Sequence, residues 1–306
     1  FAAPAQDFSS FGKSFYLSFP AHFSGAQAVL GIYITANTTA SGTVTAAGRS
    51  YPFAIGRGEV SRIFLGQASG ASGPNTGIYL NTPEGITAGA AIRVEADAPV
   101  AVYKHIIKRF ASGATLALPV ETWGSEYVVP GYGSQGNFGN GIINITAAEP
   151  ATEVEIIPTA NSLNGNRRAG IPYTITLPNP GDVYQVQFEG GADWSGTIVR
   201  AKNNATGRCN RFAVFSASTR SFLGCPNAFG ADNLLQQVFP TAVWGNSYIY
   251  VPFVNRQATI YRIFARDSGT IVQRQEQGLT RADTLPAGGF TEFTSATPGR
   301  ILANQS

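Results

Sequence analysis

The phrase Phe11-Gly-Lys-Ser-Phe-Tyr-Leu-Ser-Phe-Pro20 returns as Trp123-Gly-Ser-Glu-Tyr-Val-Val-Pro130 and again as Trp244-Gly-Asn-Ser-Tyr-Ile-Tyr-Val-Pro252. A phrase that recurs at this scale marks one supersecondary unit used several times, which constrains the architecture before any single residue is weighed. The phrases start 112 and 121 residues apart. The chain therefore divides into a short N-terminal segment (1–10), two full units (11–122 and 123–243) and a shorter third unit (244–306). A chain of this length also exceeds what one hydrophobic core usually serves.

The units read as all-β. The 35 Gly and 18 Pro punctuate short apolar runs, which leaves little room for helices. The first unit offers strands over 14–19, 28–35, 42–46, 50–55, 59–65, 77–80, 91–95 and 100–107. The second repeats the order over 127–129, 141–147, 153–157, 173–177, 182–188, 197–201 and 212–217. Alternation at Ile32 and Ile34, and at Ile92 and Val94, predicts one buried face for each strand. Gly31-Ile-Tyr-Ile-Thr-Ala36 also matches Ile142-Ile-Asn-Ile-Thr-Ala147 and Ile260-Tyr-Arg-Ile-Phe-Ala265. Tandem antiparallel β-sandwich-like repeats follow, with a closed ring of β-sheet blades as the alternative; the units are long for blades of about 40 to 50 residues. The apolar connectors 116–120 and 232–238 predict units packed against each other. The second of them, opened by Asp232 and closed by Pro240, predicts the one helical turn.

The net charge of +3 is spread singly, which excludes the basic footprint of a nucleic-acid binder. The local exception is Lys104-His105-Ile-Ile-Lys108-Arg109. In a strand Lys104 and Lys108 share a face, and the expectation is a solvated sheet edge guarded by lysine. No apolar run reaches the roughly 18 residues of a membrane helix. Methionine is absent, and Phe1-Ala-Ala-Pro-Ala5 reads as the end of a signal-cleavage region, so an exported, processed chain is expected. Cys209 and Cys225 flank a strand-like run and a turn, which predicts a disulfide; the alternative is a pair of small buried side chains.

The inventory for chemistry is thin, and no catalytic, metal or cofactor site is expected. His22 and His105 have no Cys or Asp at ligand spacing and read as structural. Gly131-Tyr-Gly133-Ser-Gln-Gly136 matches a nucleotide-loop pattern but leads into a strand instead of a helix, so it reads as a surface loop. No G-x-S-x-G occurs. Glu153 and Glu155 sit on one strand face, whereas glycosidase carboxylates converge across a cleft. The recurrent aromatics Phe11/Trp123/Trp244 and Phe15/Tyr127/Tyr248 predict packing between units. Ligand contacts are expected in the variable segments 66–77, 132–141 and 160–170. The last carries Asn161, Asn164, Asn166, Arg167 and Arg168, a candidate loop for a glycan or an anionic partner, with a solvated turn as the alternative. Glycosylation sequons stand at Asn37, Asn144, Asn204 and Asn304.

The run from Asn233 through Trp244 to Pro252 resembles the N-terminal domain family of IgGFc-binding proteins. So do Leu116-Ala-Leu-Pro-Val-Glu-Thr-Trp-Gly-Ser-Glu-Tyr-Val-Val-Pro130 and Gly181-Asp-Val-Tyr-Gln-Val186 followed by Ser195-Gly-Thr197. The resemblance runs from Phe11 to the end. It implies an extracellular or cell-surface module of the kind found in animal mucus glycoproteins and in large bacterial surface proteins. One departure is that members often carry a Cys ahead of the Asp/Asn-His that opens the helical turn, where this chain has Ala231-Asp232-Asn233. The expected role is a non-enzymatic adhesive or binding module with an extracellular protein or glycan ligand. The alternatives are a filament or sheath subunit assembled from copies of itself, and a secreted carbohydrate-active enzyme. The short third unit should expose an apolar sheet edge, expected to be covered by the second unit, a downstream segment or a neighbouring strand.

Overall fold

Apolar side chains at every second position, interrupted by glycine-rich turns, give 22 strands and four single-turn 3-10 segments in a computed structural model that describes residues 9–65, 78–223, 230–256 and 258–305. Residues 66–77, Cys225 and the leader-like 1–5 lie outside the described residues.

The first module contains β1 (Gly12–Leu17), β2 (Val29–Ala36), β3 (Ala40–Ala46), β4 (Arg49–Ile55), β5 (Val60–Phe64), β6 (Glu84–Thr87), β7 (Ile92–Ile107) and β8 (Gly113–Leu116). The two strands expected over 91–95 and 100–107 are one long strand, β7, that serves both layers. Its first part, 92–96, pairs with β1 and β3, and its second part, 100–107, pairs with β2 and β8. Pro99 falls between the two parts, where a missing N–H breaks no ladder. Residues 78–80, from the strand expected over 77–80, make only a single bridge, Phe19 to Tyr79.

The second module repeats the plan with β9 (Glu126–Val129), β10 (Gly141–Ala147), β11 (Thr152–Ile157), β12 (Tyr173–Leu177), β13 (Val183–Gln187), β14 (Thr197–Lys202), β15 (Phe212–Ser218) and β16 (Leu235–Gln237). One layer runs β12-β11-β14-β9 and the other β16-β15-β10-β13. These orders match β4-β3-β7-β1 and β8-β7-β2-β5 of the first module, and the register agrees as well. Ala36 faces Val100 as Ala147 faces Phe212.

Two strands depart from the sequence expectation. β6 follows β5 in the chain but pairs with β13, so the first module lends an edge strand to the second. The helical turn expected over 232–238 is the strand β16. Its backbone pairs with β15, and Gln237 Oε1 accepts the Leu118 N–H, so contacts more than 100 residues away outweigh the local capping signal. The 3-10 turn comes later, at Thr241–Val243, as its counterpart Val120–Thr122 follows Pro119.

The modules share buried surface. β10 and β15 are buried on both faces: Ile145, Phe212 and Val214 face their own module, while Ile142, Ala213, Phe215 and Ala217 join the first module's core together with Trp123. Lys104 lies in this shared interior and corrects the edge-guard expectation. β7 is a central strand, and its alternation turns Val102, Lys104 and Ile106 inward. The Nζ donates to Ser18 O at 2.5 Å and lies 3.5 Å from the Phe215 ring centroid. Lys108, past the end of the strand, remains half-buried and reaches Gln27.

The third module holds β17 (Ser247–Tyr250), β18 (Thr259–Phe264), β19 (Thr270–Glu276), β20 (Leu279–Leu285), β21 (Phe290–Ser295) and β22 (Gly299–Ala303). One layer, β20-β19-β22-β17, repeats β12-β11-β14-β9. The other is only β18-β21, matching β10-β13. Among the described residues nothing stands in the places of β15 and β16.

Candidate functional site

The repeated phrase explains itself at the junctions. In the two complete modules the phrase glycine leaves room for the proline of the connector that follows. A Cβ on Gly12 would meet the Pro119 ring at 2.2 Å, and one on Gly124 would meet the Pro240 ring at 2.3 Å. The phrase aromatic four residues on is fully buried in the complete modules, as Phe15 and Tyr127. The Tyr127 hydroxyl accepts the Gly124 N–H and donates to Phe212 O at the start of β15. Trp123 is buried as well, and its Nε1–H donates to Leu118 O.

In the third module the same residues face an opening. Around Gly245 a Cβ would meet nothing nearer than its own Tyr248 hydroxyl, at 3.6 Å. Tyr248 is 47% exposed; its hydroxyl accepts the Gly245 N–H, and among the described residues no strand carbonyl stands where Tyr127 finds Phe212. Ile249 is 80% exposed. The result is a groove of about 620 Å³, walled by Trp244, Tyr248 and Ile249 on one side, Ile263 and Phe264 of β18 on another, and Leu118 and Phe239 from the connectors. Val251, Phe253 and Val254, which follow β17 in the chain, are exposed as well. Contiguous apolar surface of this kind marks an interaction site more often than a free face.

One polar anchor crosses the groove floor. Arg262 of β18 donates through Nη1 to Gly131 O at 2.9 Å and Ser195 Oγ at 2.7 Å, and pairs with Asp193 and Glu292. Its guanidinium lies 3.8 Å from the Tyr132 ring centroid. The loop 131–136 thus binds the third module to the second. Tyr250, at the inner end of β17, donates to Glu276 at 2.8 Å; burial and that carboxylate push its phenol up to about 12.

The polar loop singled out from the sequence is largely occupied with holding the fold. Arg167 Nε donates to Glu84 at 2.5 Å, Asn164 Nδ2 donates to the same carboxylate at 3.0 Å, and Arg167 stacks on Tyr173. Burial pushes the Glu84 carboxyl up, but these hydrogen bonds more than offset it and leave its pKa lowered. They fasten β6 to the second module. Asn161 Oδ1 accepts the Ala169 N–H and Asn164 Oδ1 accepts the Asn166 N–H, both closing the turn. Asn161 and Arg168 do come together, with Glu189, around a hollow of about 210 Å³, which Asn166 does not line. Sequence reasoning named this loop as the ligand site and foresaw an exposed apolar edge on the third unit, without placing the groove there.

Elsewhere, His22 is buried, with Nδ1 accepting the Ser24 N–H, and His105 packs on Tyr33. Glu155 pairs with Arg200 across the strands. The Asn144 sequon is fully buried in β10, where no glycan fits. Cys209 is exposed in the loop before β15, and its expected partner Cys225 lies outside the described residues. Among the described residues no helix is long and apolar enough to cross a membrane, and no cluster of three His, Cys, Asp or Glu stands ready for a metal.

The model of the IgGFc binding protein family matches residues 113–306, from β8 through the second and third modules. The chain belongs to that family. No curated protein matches. Among solved structures, a Ca2+-stabilized adhesin that helps an Antarctic bacterium reach out and bind ice is 12% identical with a TM-score of 0.16. The match covers 93% of this chain and 66% of that one, so the chain spans less than two thirds of its length. A 1.5-MDa bacterial ice-binding adhesin, described for host cell surface retention, is 11% identical over 90% of this chain and 82% of that one, with a TM-score of 0.15. Likenesses at these scores carry no argument about this chain.

Proposed function

We propose that the chain is a non-catalytic, extracellular binding module whose recognition surface is the groove of its third module and whose ligand is a protein. Membership of the IgGFc binding protein family supports a binding role outside the cell. The observation that carries the choice of surface is the groove itself: about 620 Å³, walled mainly by aromatic and aliphatic side chains, with Ile249 at its rim. A glycan ligand at the 161–168 loop has less support, because Arg167 and Asn164 are already committed to Glu84. Assembly into a filament would use the same open face between copies.

The test is retention of beads coated with the chain on immobilised antibody Fc, mucin glycoprotein and a printed glycan panel. Ile249→Asp should abolish retention on a protein surface without unfolding the chain, since the side chain is already in solvent. Retention on none of these surfaces sinks the reading. Loss with Arg168→Ala but not with Ile249→Asp would move the site to the polar hollow.

A further inference from the structure

The loop 132–141, expected from the sequence to carry ligand contacts, closes on a cation that the fold leaves unmatched. Arg220 follows β15 in the chain. Its guanidinium carbon lies 5.0 Å from the ring centroid of Phe23, in the first module, and 5.8 Å from that of Phe138, in the loop. Both rings are half exposed, at 47% and 51%, and Phe222 braces Phe138 at 5.6 Å between centroids. The Arg220 Nε–H is shut off from water with no acceptor, and among the described residues no carboxylate pairs with the guanidinium, although part of the side chain remains in solvent. A partly desolvated cation with no counter-charge is costly to keep, and an incoming carboxylate relieves that cost.

The frame that holds these side chains is already built, which lowers the ordering cost of binding. Gln135 N–H donates to Phe222 O, Phe222 N–H to Ser134 Oγ, Thr219 N–H to Asn140 O and Phe23 N–H to Thr219 O. A Cβ on Gly139 would meet Arg220 O at 2.2 Å, so the loop and the end of β15 lie backbone against backbone. With the Ser221–Asp232 bridge, these bonds take up main-chain groups on both sides of Arg220, and an extended peptide finds no continuous edge there to pair with. Recognition falls to two ring faces and one guanidinium. We propose that Phe23, Phe138 and Arg220 form a second binding site, across the first and second modules, for a carboxylated sugar of a glycan. The C–H face of the pyranose lies against the exposed phenyl rings while its carboxylate accepts paired hydrogen bonds from the Nη atoms of Arg220. The groove of the third module takes no part in it.

The probes are the methyl glycosides of glucuronic acid and of glucose, which differ only in carrying a carboxylate or a hydroxymethyl group, and the methyl glycoside of N-acetylneuraminic acid. Each is titrated against the intact protein and followed by saturation-transfer NMR. At least one of the two acidic sugars should bind about tenfold more tightly than methyl glucoside. Arg220→Gln, which keeps most of the stem, should remove that difference. Phe138→Ala, at a half-exposed ring, should weaken binding severalfold with thermal unfolding unchanged. Ile249→Asp should leave the titration as it is, so the outcome here and the outcome of the bead assay on the groove are read separately. Binding of neither acid, equal binding of acid and glucoside, or undiminished binding by the Arg220→Gln protein overturns the proposal. So does Arg220-dependent binding of a Glu-Gly repeat peptide as tight as that of the sugars, which would make the patch a protein-docking surface.

Discussion

Lys104 offers a quantitative test of how the first two modules share an interior. Its ammonium is fully buried, with Ser18 O as hydrogen-bond acceptor, the Phe215 ring beneath it and no carboxylate partner among the described residues. Burial holds its pKa well below the usual lysine range. The unfolded chain therefore binds one more proton than the folded chain at any pH between the depressed value and the ordinary one. In that window stability must rise with pH. It is lost as pH falls toward the folded pKa, and the slope is about 1.4 kcal/mol per pH unit for one proton. Lys104→Met keeps the aliphatic stem and removes the titration.

The mildly alkaline part of that window, above the histidine range and below the tyrosine range, isolates the effect. His22 and His105, both lowered by burial, have finished titrating below it. The buried phenols of Tyr127, Tyr173 and Tyr184 are raised by burial, so their contribution is constant there and falls only above their ordinary range. Wild type should grow more stable with rising pH there, by up to about 1.4 kcal/mol per pH unit, while Lys104→Met stays flat. Denaturant midpoints read from Trp123 and Trp194 fluorescence, both buried, would show it. Parallel slopes for the two proteins would mean that Lys104 stays charged in the fold, and the account of the shared interior would be wrong.

Three further outcomes follow from the same structure. Gly124→Ala forces a methyl group onto the Pro240 ring and should cost about 1 to 3 kcal/mol, whereas Gly245→Ala meets only ordinary contact and should stay within about 0.5 kcal/mol by thermal unfolding. Tyr127→Phe strands the Gly124 N–H and Phe212 O in a buried site and should cost about 1 to 3 kcal/mol; the same change at half-exposed Tyr248 should cost less than half as much. The Cys209–Cys225 bridge is tested by intact mass with and without reductant. If formed it contributes about 3 kcal/mol by closing its loop, and two alkylatable thiols in unreduced protein would refute it.

What was legible in the sequence was whatever repeats for a local reason. The phrase glycines and aromatics of the two complete modules seat a proline ring and bury a ring of their own, and matching residue types at matching places revealed all three modules and their order. What was not legible depended on partners distant in the chain. Lys104 looks like an edge residue until β2 and β8 are known to flank its strand and Ser18 and Phe215 to close over it. β6 is four residues of weak pattern whose partner, β13, lies in another module. Asp232 to Val238 carries helix signals, yet Leu235 and Gln237 are held as a strand by β15 and by the first module's connector. The candidate site falls between these cases. Arg167 and Asn164 have the chemistry of ligand-binding residues, and only the position of Glu84 shows that this chemistry is spent inside the molecule. The groove was foreshadowed by a missing strand, but its shape depends on Gly245 and Tyr248, whose counterparts Gly124 and Tyr127 meet Pro240 and Phe212.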